Sequence, residues 1–237
     1  MITTAIILAG GFGTRLKSVI NDLPKPMAPV NDQPFLNYQL DYLRHYGIKN
    51  VILSVGYLSK KIKKHYGASY EGIGITYADE VEPLGTGGGI RLALMSCNSE
   101  ELFVLNGDSF FDVNLNTFYQ LHIKNGSQIS LALRKVIEAS RYGTILKNND
   151  HRITLFKEKN GTNRAGIING GLYILNKQIY LSHTHALTNF SIEKDFFEKH
   201  LEDLIIKGFE FDNYFIDIGI PEDYQKAQHD FKAFKYQ

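Results

Sequence analysis

A glycine-rich segment follows the first apolar run of the chain, in the stretch LAGGFGTRL that ends at Leu16. Backbone N–H groups of such a loop can approach an anion closely, because glycine has no side chain to obstruct them. Arg15 lies in this segment, and Lys25 follows between two prolines, Pro24 and Pro26. Proline fixes φ and stiffens the connection. A stiff loop that presents one arginine and one lysine is suited to holding a polyphosphate.

Two familiar phosphate-binding motifs do not fit this loop. The dinucleotide fingerprint G-x-G-x-x-G would need glycine at position 16, where the chain has leucine. A P-loop would need a Gly-Lys pair followed by Ser or Thr, which the segment lacks. The loop therefore favours neither a standard dinucleotide-binding fold nor a P-loop ATPase, and any phosphate it binds must be held in a different way.

Two aspartates each follow an apolar strand candidate and stand close to glycine. Asp108 lies in LFVLNGDSFF and Asp217 lies in YFIDIGIPEDY. Either aspartate alone would be better explained by a structural role, such as capping a turn, than by a metal. Together they suit Mg²⁺, which usually takes one or two carboxylates plus substrate phosphates.

A second glycine-rich stretch, LGTGGGI, spans residues 84–90 and leads into a helical pattern. Four glycines in five residues exceed what a helix start needs, and they leave room for a flat base against the backbone. Glu80 and Glu82 lie just upstream. A carboxylate from either could accept hydrogen bonds from N1–H and N2–H₂ of guanine, and the sequence leaves the choice between them open.

The elements that must position these residues alternate along the chain. The predicted strands are 4–8, 51–55, 73–77, 102–105, 129–133, 143–146, 152–156, 171–175 and 209–214, and the predicted helices are 35–46, 59–66, 87–95, 115–124, 194–206 and 221–234. Four strand–helix–strand repeats predict an α/β protein with a mostly parallel sheet. After residue 126 strand follows strand, which predicts an antiparallel addition to that sheet.

Composition limits the classes of partner and location. The 237 residues suit one α/β domain, and the formal net charge of +1 favours no nucleic-acid partner. Cys97 is the only cysteine, which excludes an intrachain disulfide and fits a reducing compartment. The first apolar run has no basic leader and is too short to span a bilayer, so we expect a cytoplasmic protein with no membrane segment. His183 and His185 favour a surface loop over a zinc site.

The segment LAGGFGTRL followed by PKPM closely resembles the signature of the sugar-1-phosphate nucleotidyltransferases. The resemblance continues through PLGTGGGI, LNGDSF, FKEK, INGGLYIL and DIGIPEDY, and so covers nearly the whole chain. It implies a Rossmann-like three-layer α/β/α sandwich with a mostly parallel mixed sheet and a small sugar-binding β extension. It also implies an enzyme that joins a nucleoside triphosphate to a sugar 1-phosphate and releases pyrophosphate.

The resemblance, with the chemistry above, assigns roles to particular residues. The predicted catalytic residues are Arg15, Lys25, Asp108 and Asp217, with Mg²⁺ held by the two aspartates. The predicted nucleotide-binding residues are Leu8, Gly10, Gly11, Gly13, Thr14, Arg15, Glu80, Gly85, Thr86 and Gly87. The predicted sugar-phosphate-binding residues are Lys25, Asn106, Gly143, Glu158, Lys159, Asn169 and Glu193. Residues 1–125 would form mainly the nucleotide-binding half and residues 126–237 mainly the sugar-phosphate-binding half of one domain.

One of these assignments has an alternative explanation, and another concerns a segment that differs from the family motif. Glu193 stands beside Asp195 in SIEKDFF, where acidic residues are also favoured as an exposed helix start. Asn160 replaces the proline that usually follows the glutamate and lysine of the family's F-x-E-K-P motif, here Glu158 and Lys159. The loop around these two residues therefore departs from the family pattern.

The stretch RLKSVINDLPKPMAPVNDQPFL most resembles the short guanylyltransferases that act on D-glycero-α-D-manno-heptose 1-phosphate. This resemblance implies GTP and that heptose phosphate as substrates, and a role in the supply of bacterial surface polysaccharides. Mannose or N-acetylmuramic acid 1-phosphate, with GTP, UTP or dTTP, stays open as an alternative. So does a non-catalytic sensor of nucleotide sugars. The sequence leaves a homodimer as one option for the oligomeric state.

Overall fold

A mixed sheet of ten strands runs through the residues that this computed structural model describes, which are 1–11, 23–140, 142–157 and 165–236. The strands are β1 (Thr4–Leu8), β2 (Pro29–Val30), β3 (Gln33–Pro34), β4 (Asn50–Val55), β5 (Ser69–Tyr70), β6 (Ile73–Asp79), β7 (Glu101–Asn106), β8 (Ser109–Phe111), β9 (Ile129–Val136), β10 (Thr144–Lys147), β11 (Ile153–Lys157), β12 (Gly166–Asn176), β13 (Ile206–Glu210) and β14 (Phe215–Asp217). The helices are α1 (Phe35–His45), α2 (Ser59–Tyr66), α3 (Gly85–Met95), α4 (Leu115–Lys124), α5 (Lys177–Thr184) and α6 (Pro221–Asp230).

The centre of the sheet is parallel and one flank is antiparallel. Strands β6, β4, β1 and β7 lie side by side in parallel, as the strand–helix–strand repeats predict. Strand β12 then pairs antiparallel with β7, and it also pairs antiparallel with β9 and β10. The hairpin of β10 and β11 extends this flank, so the predicted antiparallel addition after residue 126 is confirmed.

Helices cover both faces of the sheet and give the predicted three layers. Alternate residues of β1 show this directly, because Ala5 and Ile7 belong to one hydrophobic core while Ile6 belongs to the other. The first core packs α1, α2, α4 and α6, and the second packs α3 and α5. Parallel strands buried on both faces read as continuous apolar runs, which is the pattern that β1 shows. No helix in the described part of the chain is long and apolar enough to cross a membrane.

Two predicted elements are wrong, and one helix was missed. The predicted helix over 194–206 is a π-helical turn at Ile192–Phe197 and a 3₁₀ turn at Glu198–His200, and Ile206 already belongs to β13. Of the predicted strand over 209–214, only residues 209–210 belong to a strand, β13, and residues 211–214 form the connection to β14. Helix α5 was not predicted, although the Asn176 side chain caps it by accepting a hydrogen bond from the Ile179 N–H group at 3.1 Å.

A bulge in β12 bends the strand beside the carboxyl end of β7. Asn169 pairs with Leu133 and Tyr173 with Leu131, so β12 has two more residues than β9 over this interval. Gly171 lies in the bulge with a φ of +70°, and a Cβ there would come within 2.6 Å of the Asn106 Nδ2 atom. Only glycine fits such a position without strain. Bulges of this kind re-aim side chains, and this one lies next to the pocket described below.

A buried series of Ser130, His122 and Glu101 joins α4 to the sheet away from that pocket. The Ser130 Oγ atom lies 2.8 Å from His122 Nδ1, and His122 Nε2 lies 3.4 Å from Glu101 Oε1. The order of residue types is that of a hydrolase triad. Ser130 is completely buried and His122 nearly so, which leaves no access for a substrate. The series is therefore structural.

Acid is expected to destabilise the protein through His122. Burial lowers the pKa of His122 from its ordinary value of 6.5, and the nearby Glu101 carboxylate only partly opposes this. The unfolded chain then binds a proton more readily than the folded chain, so folding stability is lost as pH falls below about 6.5. Urea unfolding from about pH 7.5 to about pH 5.5 should show a larger loss for the wild type than for His122→Gln. Equal losses in the two proteins would contradict this account.

Candidate active site

Two adjacent pockets open at the carboxyl ends of β1 and β7. The smaller has a volume of about 300 Å³ and the larger about 580 Å³. Asn106 and Asp108 line both pockets, so the two cavities meet at these residues. In open α/β sheets, ligands bind outside the carboxyl ends of the strands, and these pockets lie at that edge.

The smaller pocket gathers most of the described residues that the sequence analysis predicts to bind a nucleotide. Its lining residues are Leu8, Gly10, Gly11, Lys25, Pro26, Glu80, Pro83, Gly85, Thr86, Asn106, Gly107 and Asp108. The Gly107 N–H group donates to the Leu8 carbonyl at 3.0 Å, which holds the ends of β7 and β1 together. Predicted residues Gly13, Thr14 and Arg15 lie outside the described residues.

Glu80, and not Glu82, lines this pocket. The Glu80 carboxylate is held by two hydrogen bonds, one from the Ser54 hydroxyl at 3.0 Å and one from the Leu84 N–H group at 3.0 Å. Each bond reaches a different carboxylate oxygen, so both oxygens keep a lone pair for a further donor. Glu82 is exposed and does not line the pocket. The geometry therefore favours Glu80 over Glu82 as the carboxylate that could contact a nucleobase in the smaller pocket.

The two predicted aspartates are brought together by a short antiparallel pair. Strand β14 pairs with β8 so that Asp217 lies opposite Ser109, the residue after Asp108. The Ile218 N–H group also donates to the Asp108 carbonyl at 2.9 Å. Residues far apart in the sequence thus present their carboxylates at one point, where the larger pocket is lined by both.

Lys25 neutralises this carboxylate pair. Its ammonium forms an ion pair with Asp108 Oδ2 and lies 3.7 Å from Asp217 Oδ1. The lysine side chain is 14% exposed, whereas the two aspartates are 38% and 29% exposed. Lys25 is the first residue of a 3₁₀ turn, Lys25–Met27, and Pro24 and Pro26 on either side restrict the backbone there.

The same contacts test whether the site suits a divalent cation. Both carboxylates converge closely enough to share one cationic group, which is the requirement for sharing a metal ion. Within the described ranges, no cluster of three or more His, Cys, Asp or Glu side chains suits a metal. Two oxygen-donor carboxylates beside an open pocket fit Mg²⁺, because its other ligands are usually water and substrate phosphate.

The larger pocket gathers most of the described residues that the sequence analysis predicts to bind a sugar phosphate. Gly143, Asn169 and Glu193 line it together with Asn106. Its remaining lining residues are Asp108, Ser109, Tyr142, Ile145, Phe156, Lys157, Gly170, Gly171, Ser191, Lys194, Glu198, Phe215 and Asp217. The mixture of hydroxyl, amide, carboxylate and ammonium groups suits a polar ligand that carries both hydroxyls and negative charge. Predicted residues Glu158 and Lys159 lie outside the described residues.

Two positioning residues of the site, Gln39 and Tyr173, were not predicted. Gln39 is fully buried in α1, and its Nε2 donates to the carbonyls of Asn106 and Ser109 at 2.8 Å each, which braces the loop that carries Asp108. Tyr173 is also fully buried, and its hydroxyl accepts a hydrogen bond from Asn169 Nδ2 at 2.8 Å. Burial raises the pKa of Tyr173 well above its ordinary value, so the phenol stays neutral while it orients the amide.

Gly87 does not line either pocket, although it is one of the predicted nucleotide-binding residues. It lies inside α3, which begins at Gly85 and not at residue 87, and it is buried against the Phe190 ring. The glycine is needed there because a Cβ atom would collide with that ring. Packing therefore explains this glycine, whereas Gly85 and Thr86 do face the smaller pocket.

The chain belongs to the nucleotidyl transferase family, whose sequence profile matches residues 4–233. The family resemblance inferred from the sequence is therefore confirmed, and so is the prediction of an enzyme that transfers nucleotidyl groups.

Three relatives are similar over nearly their whole length. The D-glycero-alpha-D-manno-heptose 1-phosphate guanylyltransferase of Aneurinibacillus thermoaerophilus is 46% identical over 230 residues, which cover 97% of this chain and 99% of that protein. The enzyme of the same name from Campylobacter jejuni subsp. jejuni is 47% identical over 221 residues, covering 93% and 96%. A crystal structure of HddC from Yersinia pseudotuberculosis complexed with GMP-PN is 36% identical, covers 98% of this chain and 100% of that chain, and has a TM-score of 0.86.

Proposed function

We propose that this protein transfers a guanylyl group from GTP to D-glycero-α-D-manno-heptose 1-phosphate, giving GDP-heptose and pyrophosphate. The observation that carries the chemistry is the meeting of the two pockets at Asp108, beside Asp217 and Lys25. The full-length similarity to the two guanylyltransferases of that heptose phosphate supports the choice of substrates.

The smaller pocket is proposed to take GTP and the larger pocket the sugar phosphate. All lining residues of the smaller pocket lie between Leu8 and Asp108, which supports residues 1–125 as mainly the nucleotide-binding half. Most lining residues of the larger pocket lie between Tyr142 and Asp217, which supports residues 126–237 as mainly the sugar-phosphate-binding half. Arg15, Glu158 and Lys159 keep the roles that the family resemblance implies.

The reaction needs charge and position more than proton transfer. A sugar phosphate monoester has its second pKa near about 6 and is mostly a dianion at neutral pH, so it needs no general base to attack. Its oxygen bonds to the α-phosphorus of GTP while the bond from that phosphorus to the β-phosphate oxygen breaks, and pyrophosphate leaves with the electron pair. Holding the two anions in line is then the main task of the protein.

The residues of the junction are proposed to divide this task. Lys25 neutralises phosphate charge at the point where the pockets meet, and Asn169 and Glu193 orient the sugar hydroxyls. Asp108 and Asp217 would hold Mg²⁺. Their carboxylates already lie close enough together for both to contact the single ammonium of Lys25. When bound, Mg²⁺ would offset the negative charge of the reacting phosphates.

Selection of guanine is proposed to come from Glu80. Guanine offers adjacent donors at N1–H and N2–H₂, and the fixed Glu80 carboxylate can accept both. Uracil and thymine offer one imide donor flanked by carbonyl oxygens, which a carboxylate repels. A polar group left unpaired in a pocket costs about 1–3 kcal/mol, or roughly tenfold to hundredfold in discrimination.

Glu80→Gln is therefore expected to lower kcat/KM for GTP by about tenfold to hundredfold and to relax the preference over UTP and dTTP. The matched control is Glu82→Gln, which changes the same side chain at an exposed position outside the pocket. The control should keep the wild-type ratio of kcat/KM values. An unchanged ratio in Glu80→Gln would mean that backbone groups near Gly85 select the base.

The proposed function is tested by measuring pyrophosphate release over a grid of four nucleoside triphosphates and several sugar 1-phosphates. The grid includes D-glycero-α-D-manno-heptose, mannose and N-acetylmuramic acid 1-phosphates. Fastest release with GTP and the heptose phosphate supports the proposal. A higher kcat/KM for another pair would reassign the substrates, and no release with any pair would favour a non-catalytic sensor.

The cellular setting is part of the same proposal. A GTP-dependent enzyme that makes GDP-heptose would work in the bacterial cytoplasm and would supply capsule or lipopolysaccharide synthesis. Mg²⁺ dependence can be checked by adding and removing a chelator during the grid assay. A homodimer stays a prediction, which light scattering of the purified protein would check.

A further inference from the structure

Thr86 lines the smaller pocket, but its hydroxyl forms a hydrogen bond with Glu193, a residue that lines the larger pocket. Its Oγ1 accepts a hydrogen bond from the Ile192 N–H group at 3.0 Å and donates to Glu193 Oε2 at 3.4 Å. Thr86 is one of the residues predicted from the sequence to bind the nucleotide. These two contacts instead direct the hydroxyl towards Glu193, which lines the larger pocket, and its neighbour Ile192.

Glu193 receives a second hydroxyl on the same oxygen. The Ser191 Oγ atom donates to Glu193 Oε2 at 2.9 Å, and Ser191 lines the larger pocket beside it. With Oε2 satisfied by two hydroxyls, Oε1 is the oxygen suited to accept from a ligand hydroxyl. Fixing a long glutamate side chain in one rotamer is entropically costly, so the two hydroxyl donors pre-organise the carboxylate.

The backbone around this contact joins the two pocket walls into one unit. The Gly87 N–H group donates to the Phe190 carbonyl at 2.9 Å, and the Phe190 N–H group donates to the Leu84 carbonyl at 3.0 Å. The buried Tyr180 hydroxyl donates to the Gly87 carbonyl at 3.0 Å. The start of α3 therefore cannot shift without moving the residues that lead into the π-helical turn Ile192–Phe197.

We propose that Thr86 is a positioning residue for the sugar phosphate, acting through Glu193, and not a contact for the base. The inference rests on the proposed assignment of the larger pocket to the sugar phosphate. Loss of the Thr86 hydroxyl removes one of two donors from the carboxylate and leaves the Ile192 N–H group without its acceptor. Sugar-phosphate binding then weakens while the shape of the nucleotide pocket is kept.

The test compares Thr86→Val, which has nearly the same shape but no hydroxyl, with Thr86→Ser, which keeps it. Thr86→Val should raise KM for the sugar 1-phosphate by about fivefold to tenfold and change KM for GTP by less than about twofold. Thr86→Ser should restore values close to the wild type. Because Thr86 acts through Glu193, adding Thr86→Val to Glu193→Gln should cause little further loss.

Several results would overturn the proposal. One is a rise in KM for GTP alone, which would make the hydroxyl a nucleotide contact, and another is two unchanged KM values in Thr86→Val. If Thr86→Val fails to fold, Ser191→Ala removes the other donor to Glu193 and should give the same split between the two KM values; an unchanged sugar KM there would count against the proposal.

The readout also separates this proposal from the proposed function. If the substrate grid selects another nucleotide and sugar pair, the same comparison is made with that pair. If no pair reacts, calorimetric binding of heptose 1-phosphate to the wild type and to Thr86→Val replaces the KM values. Weaker binding to the variant supports the role of Thr86, and equal binding contradicts it.

Discussion

Replacing Asp108 with Asn is expected to lower kcat for nucleotidyl transfer by at least about 100-fold, and Asp217→Asn should do the same. The substitution keeps the size of the side chain and removes the charge. Asp108 stands where the two pockets meet, and its carboxylate is paired with Lys25. Without that charge the site loses a proposed metal ligand and a partner that holds the lysine.

Asp79→Asn is the matched control for both variants. Asp79 is a partly exposed carboxylate at the end of β6 that pairs with Lys63 at 2.6 Å, outside both pockets. Surface pairs of this kind contribute little, so turnover should stay within about twofold. Mn²⁺ binding, measured by titration calorimetry, should be weaker in Asp108→Asn and Asp217→Asn than in the wild type, and unchanged in the control. Normal turnover in either variant would remove that aspartate from the metal site.

Lys25→Met is expected to lower kcat/KM for both substrates by at least about 100-fold. The Lys25 ammonium contacts the carboxylates of both Asp108 and Asp217, and the lysine side chain is largely buried. Its removal leaves Asp108 and Asp217 without that compensation, so they repel an incoming phosphate more strongly. The effect should reach both substrates, because Lys25 lines the smaller pocket while its ammonium contacts the two aspartates that line the larger one.

Lys63→Met supplies the corresponding control for Lys25. Lys63 also forms an ion pair with an aspartate, but its side chain is 39% exposed and outside the pockets. This variant should keep wild-type kinetics. If Lys25→Met raised only the KM for the sugar phosphate, Lys25 would act on the sugar phosphate alone and not on both substrates.

The parts of the site that the sequence predicted are those that short segments encode. Asp108 and Asp217 each follow an apolar strand directly, and Lys25 is bracketed by prolines, so residue type and position, together with the family resemblance, single them out. Their convergence on one point depends on the pairing of β8 with β14, two strands of three residues each. Segments so short have no periodicity that could predict them.

The unpredicted parts depend on contacts between distant residues. Gln39 is a polar residue in an otherwise amphipathic helix, and nothing local shows that its side chain turns inward to the carbonyls of Asn106 and Ser109. The segment 192–206 has a helical composition, but the strand β13 draws its end into the sheet beside β9. Tertiary pairing overrides local propensity in such places.

The pairing of β12 with β7 also governs how the protein can be made. As the polypeptide leaves the ribosome, β7 emerges with one edge unpaired, and that edge stays open until residues 166–176 are synthesised. An unpaired edge of backbone N–H and C=O groups is a template for aggregation. Asp217 emerges later still. Translation that stops after β7 and before residue 166 would leave a nascent chain with most of the nucleotide pocket, an unpaired edge of β7 and only one of the two aspartates.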